Sequence, residues 1–125
     1  MTYMMLLHGD ESAWQGMPEE AQSQAIAAFM EYNGELAAAG VLAGGGELQP
    51  SYTATTLRGT DGGVQVIDGP FAETKEQIGG FYLLNVPDLD TALEWAKRCP
   101  SLFGGGAIEV RPLGTVPSEL DSAGG

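Results

Sequence analysis

The sequence predicts an α+β fold of the split βαβ, ferredoxin-like class, on three observations. Apolar runs near both ends and around residues 81–86 have the length of buried strands. Two amphipathic stretches have helical spacing, and the elements follow one another as strand, helix, strands, helix, strand.

From Thr2 to His8 an apolar run closed by Gly9-Asp10 reads as a strand ending in a turn. Pro18 with Glu19 and Glu20 opens a helix: proline's missing N–H has no partner to lose there, and carboxylates favour the positive end of the helix dipole. This helix runs to about Ala39, with Ile26, Phe29, Met30, Leu36 and Ala37 near helical spacing and Gly40 as its stop. Tyr52–Arg58 and Val64–Ile67 flank the turn formers at 59–63 and read as a hairpin, with a further partner strand around Val41–Leu48. Phe81–Val86 is another apolar strand. Asp88 caps a second helix whose Leu89, Ala92, Leu93 and Ala96 form one stripe, Lys97 and Arg98 suit its negative end, and Pro100 stops it. Ala107–Leu113 is the last strand, so residues 1–116 are expected as one domain and 117–125 as a flexible tail.

Two helices cover one face of a sheet. The first strand and the Phe81–Val86 strand nevertheless carry apolar residues on both faces, so something must bury the second. The expectation is a second copy of the same sheet, in a homodimer.

At 125 residues, 43% of them hydrophobic and 18% charged, the chain suffices for one packed core. Seventeen acidic residues against five basic ones give a net charge of -12, which repels nucleic acid and anionic membrane surfaces alike. Cys99 is the only cysteine, which excludes an intrachain disulfide and a cysteine-rich zinc site. One histidine and scattered carboxylates show no metal-ligand spacing, and no nucleotide fingerprint or P-loop occurs, so no metal and no cofactor is expected. The apolar start is too short for a signal peptide and no segment is long enough to span a bilayer, which reads as a cytoplasmic protein.

From Asp68 the chain reads DGPFAETKEQIGGFYLLNVPDLDTALEWAKRCP and later IEVRPL, with LAGGGELQPS ahead of it. This closely resembles the YCII-related family and, within it, the DGPF-motif branch, over nearly the whole chain except the tail. The resemblance implies a ferredoxin-like fold and a dimer with facing sheets, a dimeric α+β barrel. It also implies, from a minority of members, lyase or isomerase chemistry by a His and Asp pair, and an association with extracytoplasmic-function sigma factors. The histidine of that pair resembles one on the first helix of such proteins. The helix from Pro18 to Ala39 has none here, so the pair does not carry over intact.

The stretch Gly69–Gly80 is far longer than the roughly two to five residues of a hairpin loop, and long ordered loops are often functional. Gly69, Pro70 and Gly80 shape it, and it concentrates Asp68, Glu73, Lys75 and Glu76. On a structural reading Asp68-Gly69 is a turn, Phe71 plugs the core and Lys75 pairs with its acidic neighbours. On a functional reading Asp68 is an acid or base and Lys75 orients an anionic ligand, with Phe71, Glu73, Glu76, Glu47 and Tyr52 around it. His8, the sole histidine, is either a core residue or a second proton-transfer group, since imidazole titrates near ~6.5.

Two functions are therefore open. One is a cofactor-independent acid/base enzyme of lyase or isomerase type acting on a small organic molecule. The other is a non-catalytic sensor or protein-interaction module, linked to sigma-factor regulation through the resemblance alone.

Overall fold

The computed structural model describes residues 1–114; the expected domain end at residue 116 and the tail from Pro117 lie outside the described residues. Strand β1 (Thr2–Gly9) leads through a short helix α1 (Glu11–Gln15) to the long helix α2 (Glu19–Ala38). Strand β2 (Leu42–Glu47) precedes a hairpin, β3 (Thr55–Thr60) and β4 (Gly63–Asp68). Strand β5 (Gln77–Asn85), helix α3 (Leu89–Ala96) and strand β6 (Ala107–Pro112) complete the order.

Four strands form one antiparallel sheet in the order β2-β5-β1-β6, the arrangement of a ferredoxin-like α+β domain. The hairpin β3-β4 forms as its sequence predicts, but as a separate two-stranded sheet. The second strand of the main sheet is instead the glycine-rich Leu42–Glu47, within the span where a further partner was expected. Because its three consecutive glycines carry no side chains, β2 can lie tightly against β5. A Cβ on Gly80 would sit 2.9 Å from the carbonyl oxygen of Gly46, a separation real Cβ atoms do not tolerate.

Register fixes which residues share a face. Tyr3 and Met5 of β1 and Tyr82 and Leu84 of β5 are buried under the helices. Met4, Leu6 and His8 alternate onto the opposite, open face beside Leu83, Phe81 and Ile78. Leu7 pairs with Gly80 and His8 with Ile78, so Gly79 is a bulge residue with no partner on β1.

The helix stripes differ from expectation by a fraction of a turn. In α2 the buried residues are Tyr32 and Leu36, with Phe29 packed against the core, whereas Ile26 and Met30 are exposed. In α3 it is Ala92 and Ala96 that are buried, Trp95 packs alongside, and Leu89 and Leu93 face outward. The cause is the tyrosine. Tyr32 packs edge-on against Tyr82 at 5.5 Å and donates its hydroxyl to the Trp95 carbonyl at 2.8 Å, which sets the rotation of both helices. Burial pushes the Tyr82 phenol up to about 12 and that of Tyr32 higher still, and it also raises the thiol of fully buried Cys99. Asp88 caps α3 as its sequence predicts, accepting from the Thr91 N–H at 2.8 Å. No helix among the described residues is long and apolar enough to cross a membrane.

Replacing Gly80 with alanine is expected to force β2 off β5 and to destabilise the fold by about 1–3 kcal/mol, the usual range for overpacking. Urea unfolding of the variant beside the parent measures this.

Candidate functional site

Beyond the end of β1 the chain builds two adjoining clefts. Asp10 caps α1, accepting from the Ser12 N–H at 2.9 Å and the Ser12 hydroxyl at 2.6 Å. Those bonds, the side-chain one foremost, hold its carboxyl below the ordinary range. The next residue, Glu11, accepts from the Ser51 N–H at 2.6 Å and the Ser51 hydroxyl at 2.7 Å, tying α1 to the turn at Ser51–Thr53. The DGPF segment is pinned just as firmly. Gly69 has φ +113°, which disfavours a side chain; its N–H donates to Ala54 at 2.8 Å and its carbonyl accepts from the Thr56 hydroxyl at 2.7 Å. Gln77 closes the loop by donating its side-chain amide to the Thr74 carbonyl at 2.5 Å.

The first cleft, of about 450 Å³, is lined by Asp10, Glu11, Ser12, Ser51, Thr74, Lys75 and Gln77. The second, of about 350 Å³, is lined by Ser51, Tyr52, Asp68, Gly69, Pro70, Glu73 and Gln77. Ser51 and Gln77 belong to both, so the two form one bent groove. Five of the residues singled out from sequence, Tyr52, Asp68, Gly69, Pro70 and Glu73, thus meet around one cavity, and Lys75 lines its neighbour.

The polar groups in this groove fall into two kinds. Asp10 and Glu11 are occupied by local hydrogen bonds. Asp68, Glu73, Tyr52 and Lys75 have no side-chain partner among the described residues. The expected pairing of Lys75 with its acidic neighbours is absent there. Its case stands out among the cations. Lys97 pairs with Glu94 at 3.2 Å, Arg98 with Glu35 at 2.5 Å and Arg111 with Glu109 at 2.5 Å, while Arg58 lies over the Phe71 ring at 4.9 Å.

Other sequence candidates lie elsewhere. Phe71 does not plug the core: it is 74% exposed, outside both clefts, because the Asp68–Pro70 bend turns it away from the sheet towards Arg58. Glu76 is exposed and lines neither cleft. Glu47 sits at the end of β2 opposite Gly80, where Gly80 serves close strand packing. His8 is on the open sheet face, with Glu109 as its partner at 3.3 Å from Nε2. Glu109, Arg111, Glu11 and Ser51 were not singled out from sequence. The alternation of the last strand, which sets Glu109 and Arg111 on one face, is the signal that could have found that pair.

Glu11→Ala is expected to speed hydrogen exchange of the Ser51 amide by about tenfold, the factor one charge-assisted bond supplies. Amides of β1 and β5 should be unaffected, and mass-spectrometric or NMR exchange distinguishes the two.

The chain matches solved and curated proteins over almost all its length. Its fold is similar to 5-chloro-2-hydroxyhydroquinone dehydrochlorinase (TftG) from Burkholderia phenoliruptrix AC1100, solved in complex with 2,5-dihydroxybenzoquinone. The TM-score is 0.55 and the identity 17%, over 93% of this chain and 96% of that one. An uncharacterised protein of Rhizobium meliloti (strain 1021) is 38% identical over 124 residues, 98% of this chain and 100% of the relative. The model of the YCII-related domain matches residues 1–115, and the chain accordingly belongs to the YCII-related domain family.

Proposed function

We propose that the chain is a cofactor-independent domain that binds a small organic anion in the bent groove, with Lys75 orienting the ligand and Asp68 exchanging a proton with it. The observation that carries this reading is Lys75, which shares its cleft with Asp10 and Glu11 yet forms no salt bridge among the described residues. In a chain of net charge -12, a cation with no ion-pair partner among the described residues, at the rim of a cleft, is placed to neutralise an incoming anion. Asp68, on a loop pinned at both Gly69 backbone groups, supplies a carboxylate held in position yet without a hydrogen-bond partner among the described residues. Lyase or isomerase chemistry needs only such a proton donor and acceptor.

The same reading makes the protein a homodimer packed through the open sheet face. Met4, Leu6, Ile78, Phe81 and Leu83 present their side chains there, on the side away from the core under α2 and α3. Among the described residues, the only formal charges that strand alternation brings to this face are Glu109 and Arg111, which cancel. It is thus a neutral stretch in an acidic chain, where two like-charged copies meet with little repulsion. Four strands about 4.8 Å apart and about six residues long give a plane of roughly 19 by 20 Å. That is roughly half of the ~800 Å² per partner of a standard interface, the rest falling to the sheet's margins.

A second reading, a sensor or interaction module, is favoured by that hairpin. Leu57, Val64 and Val66, which share one side of it, are 66%, 64% and 64% exposed. A regulatory protein covering them would serve signalling.

Titration calorimetry with 2,5-dihydroxybenzoquinone, the planar ligand of the dehydrochlorinase, tests the groove. Lys75→Gln is expected to weaken binding about tenfold, one step of about 1.4 kcal/mol, whereas Asp68→Asn tightens it by removing a like charge. Equal effects of the two substitutions, or no binding at all, count against an anion site and favour the interaction reading. Light scattering should give the mass of two chains for the parent protein and of one for Leu83→Glu. A monomeric parent at micromolar concentration sinks the dimer.

A further inference from the structure

We propose that His8, Glu109 and Arg111 form a proton-transfer unit on the open face of the sheet, apart from the groove, in which His8 is the base and the two residues of β6 hold it in place. The inference rests on the reading that a second copy covers this face, because in the single chain the unit stands at an open surface. Its ligand is a flat, largely apolar organic molecule with a weakly acidic C–H or O–H.

The placement follows from strand alternation. His8 is level with Ala107 of β6 and Ile78 of β5, Leu6 with Glu109, and Met4 with Arg111. Glu109 and Arg111, two residues apart, point to the same side as His8. Diagonal neighbours across strands are about 7–8 Å apart at the backbone, within the reach of a glutamate. The glutamate Oε1 lies 3.3 Å from His8 Nε2, and its Oε2 accepts from Arg111 Nε at 2.5 Å. His8 is 27% exposed and Glu109 38%, so both are already half withdrawn from water without a partner.

This order of groups has a chemical sense. The Arg111 hydrogen bond, followed by its charge and by His8, holds the Glu109 carboxyl below the ordinary range, so Glu109 is an acceptor at neutral pH. Glutamate as acceptor assigns the Nε2 proton to the imidazole and leaves the Nδ1 lone pair for a substrate. An exposed ion pair adds little to stability, so stability is a poor reason for three polar groups in a row on an apolar sheet face. The row borders the Leu6–Phe81 and Met4–Leu83 pairs, so a ligand beside His8 lies between this sheet and the facing copy. On the far side of those pairs Gly44 and Gly46 of β2, opposite Leu83 and Phe81, add no side chains and leave room for a planar ring.

In the step this permits, a substrate C–H or O–H bond breaks and an N–H bond forms at Nδ1, the electron pair staying on the substrate. Glu109 stabilises the imidazolium. The proton then returns to another substrate atom, or the retained pair forms a π bond as a leaving group departs with its own electron pair and the imidazolium releases its proton to water; neither course needs an oxidant.

Because His8 is the only histidine, one set of imidazole signals reports on it in the full-length, ¹⁵N-labelled protein. Long-range ¹H–¹⁵N spectra are expected to show the neutral ring as the Nε2–H form in the parent and as a tautomer mixture in Glu109→Leu. Nitrobenzisoxazole serves as the substrate probe: its ring C–H proton passes to the base as the N–O bond breaks, releasing a coloured phenolate. Turnover should follow the deprotonation of His8 read from the same spectra and fall about 10²-fold in His8→Gln. In Glu109→Leu it should fall chiefly through kcat. Averaged tautomers in the parent, turnover no faster than with free imidazole, or an unchanged His8→Gln rate would each overturn the proposal. Light scattering on the same samples separates the two failures: a monomer refutes the dimer on which the unit rests, whereas a dimer with an unlocked His8 refutes the unit alone.

Discussion

Strand β1 is hydrogen-bonded along both edges, to β5 and to β6, and the rest of the molecule depends on that double pairing. It commits every second residue of the strand to the helices and the others to the opposite side. Tyr3 and Met5 are thereby spent on the core with Tyr82, Leu84, Tyr32 and Leu36. Met4, Leu6 and His8 are left over, on the side away from the core that α2 and α3 build with Tyr32, Leu36, Ala92 and Ala96.

The double pairing also accounts for where polar side chains gather. At the end of β1 the sheet gives way to α1, the Ser51–Thr53 turn and the DGPF loop, whose backbone groups are held by Glu11, Ala54 and Thr56. A loop fixed through its backbone keeps its side chains free, and Asp68, Glu73 and Lys75 are such side chains. On the open face the logic is reversed: the backbone is sheet, and His8, Glu109 and Arg111 spend their side chains on one another.

Much of the fold was legible because its strongest signals are local. Pro18 and Asp88 mark both longer helices to within a residue, and the hairpin is spelled out by turn formers between β-branched runs. The main-sheet role of Leu42–Glu47 was harder to read. Glycines that suit close packing against β5 have no strand propensity, so a sheet strand resembles a turn until its partner is known. The stripe on α2 was misplaced for a related reason: Ile26 and Met30 are more apolar than Tyr32, yet the tyrosine is buried because its hydroxyl finds the Trp95 carbonyl. Around the groove, the DGPF loop announced itself by length and composition, whereas Glu11 and Ser51 are 40 residues apart and carry no motif. The partner of His8 was invisible in the same way, 101 residues away.

Pleated strands count in twos, and Gly79 is the odd step. With no counterpart on β1, it shifts the chain ahead of it by half a repeat, which brings Ile78 to the side of His8 and sets Gln77 level with Gly9 beside the groove. A single residue gained or lost between Gln77 and Gly80 would exchange those duties, sending Gln77 away from the groove and Ile78 under the helices. Descendants of this sequence are free to vary by substitution at Gly79, where an added side chain meets nothing within 4 Å, and to change length only upstream, where the chain no longer keeps time with β1.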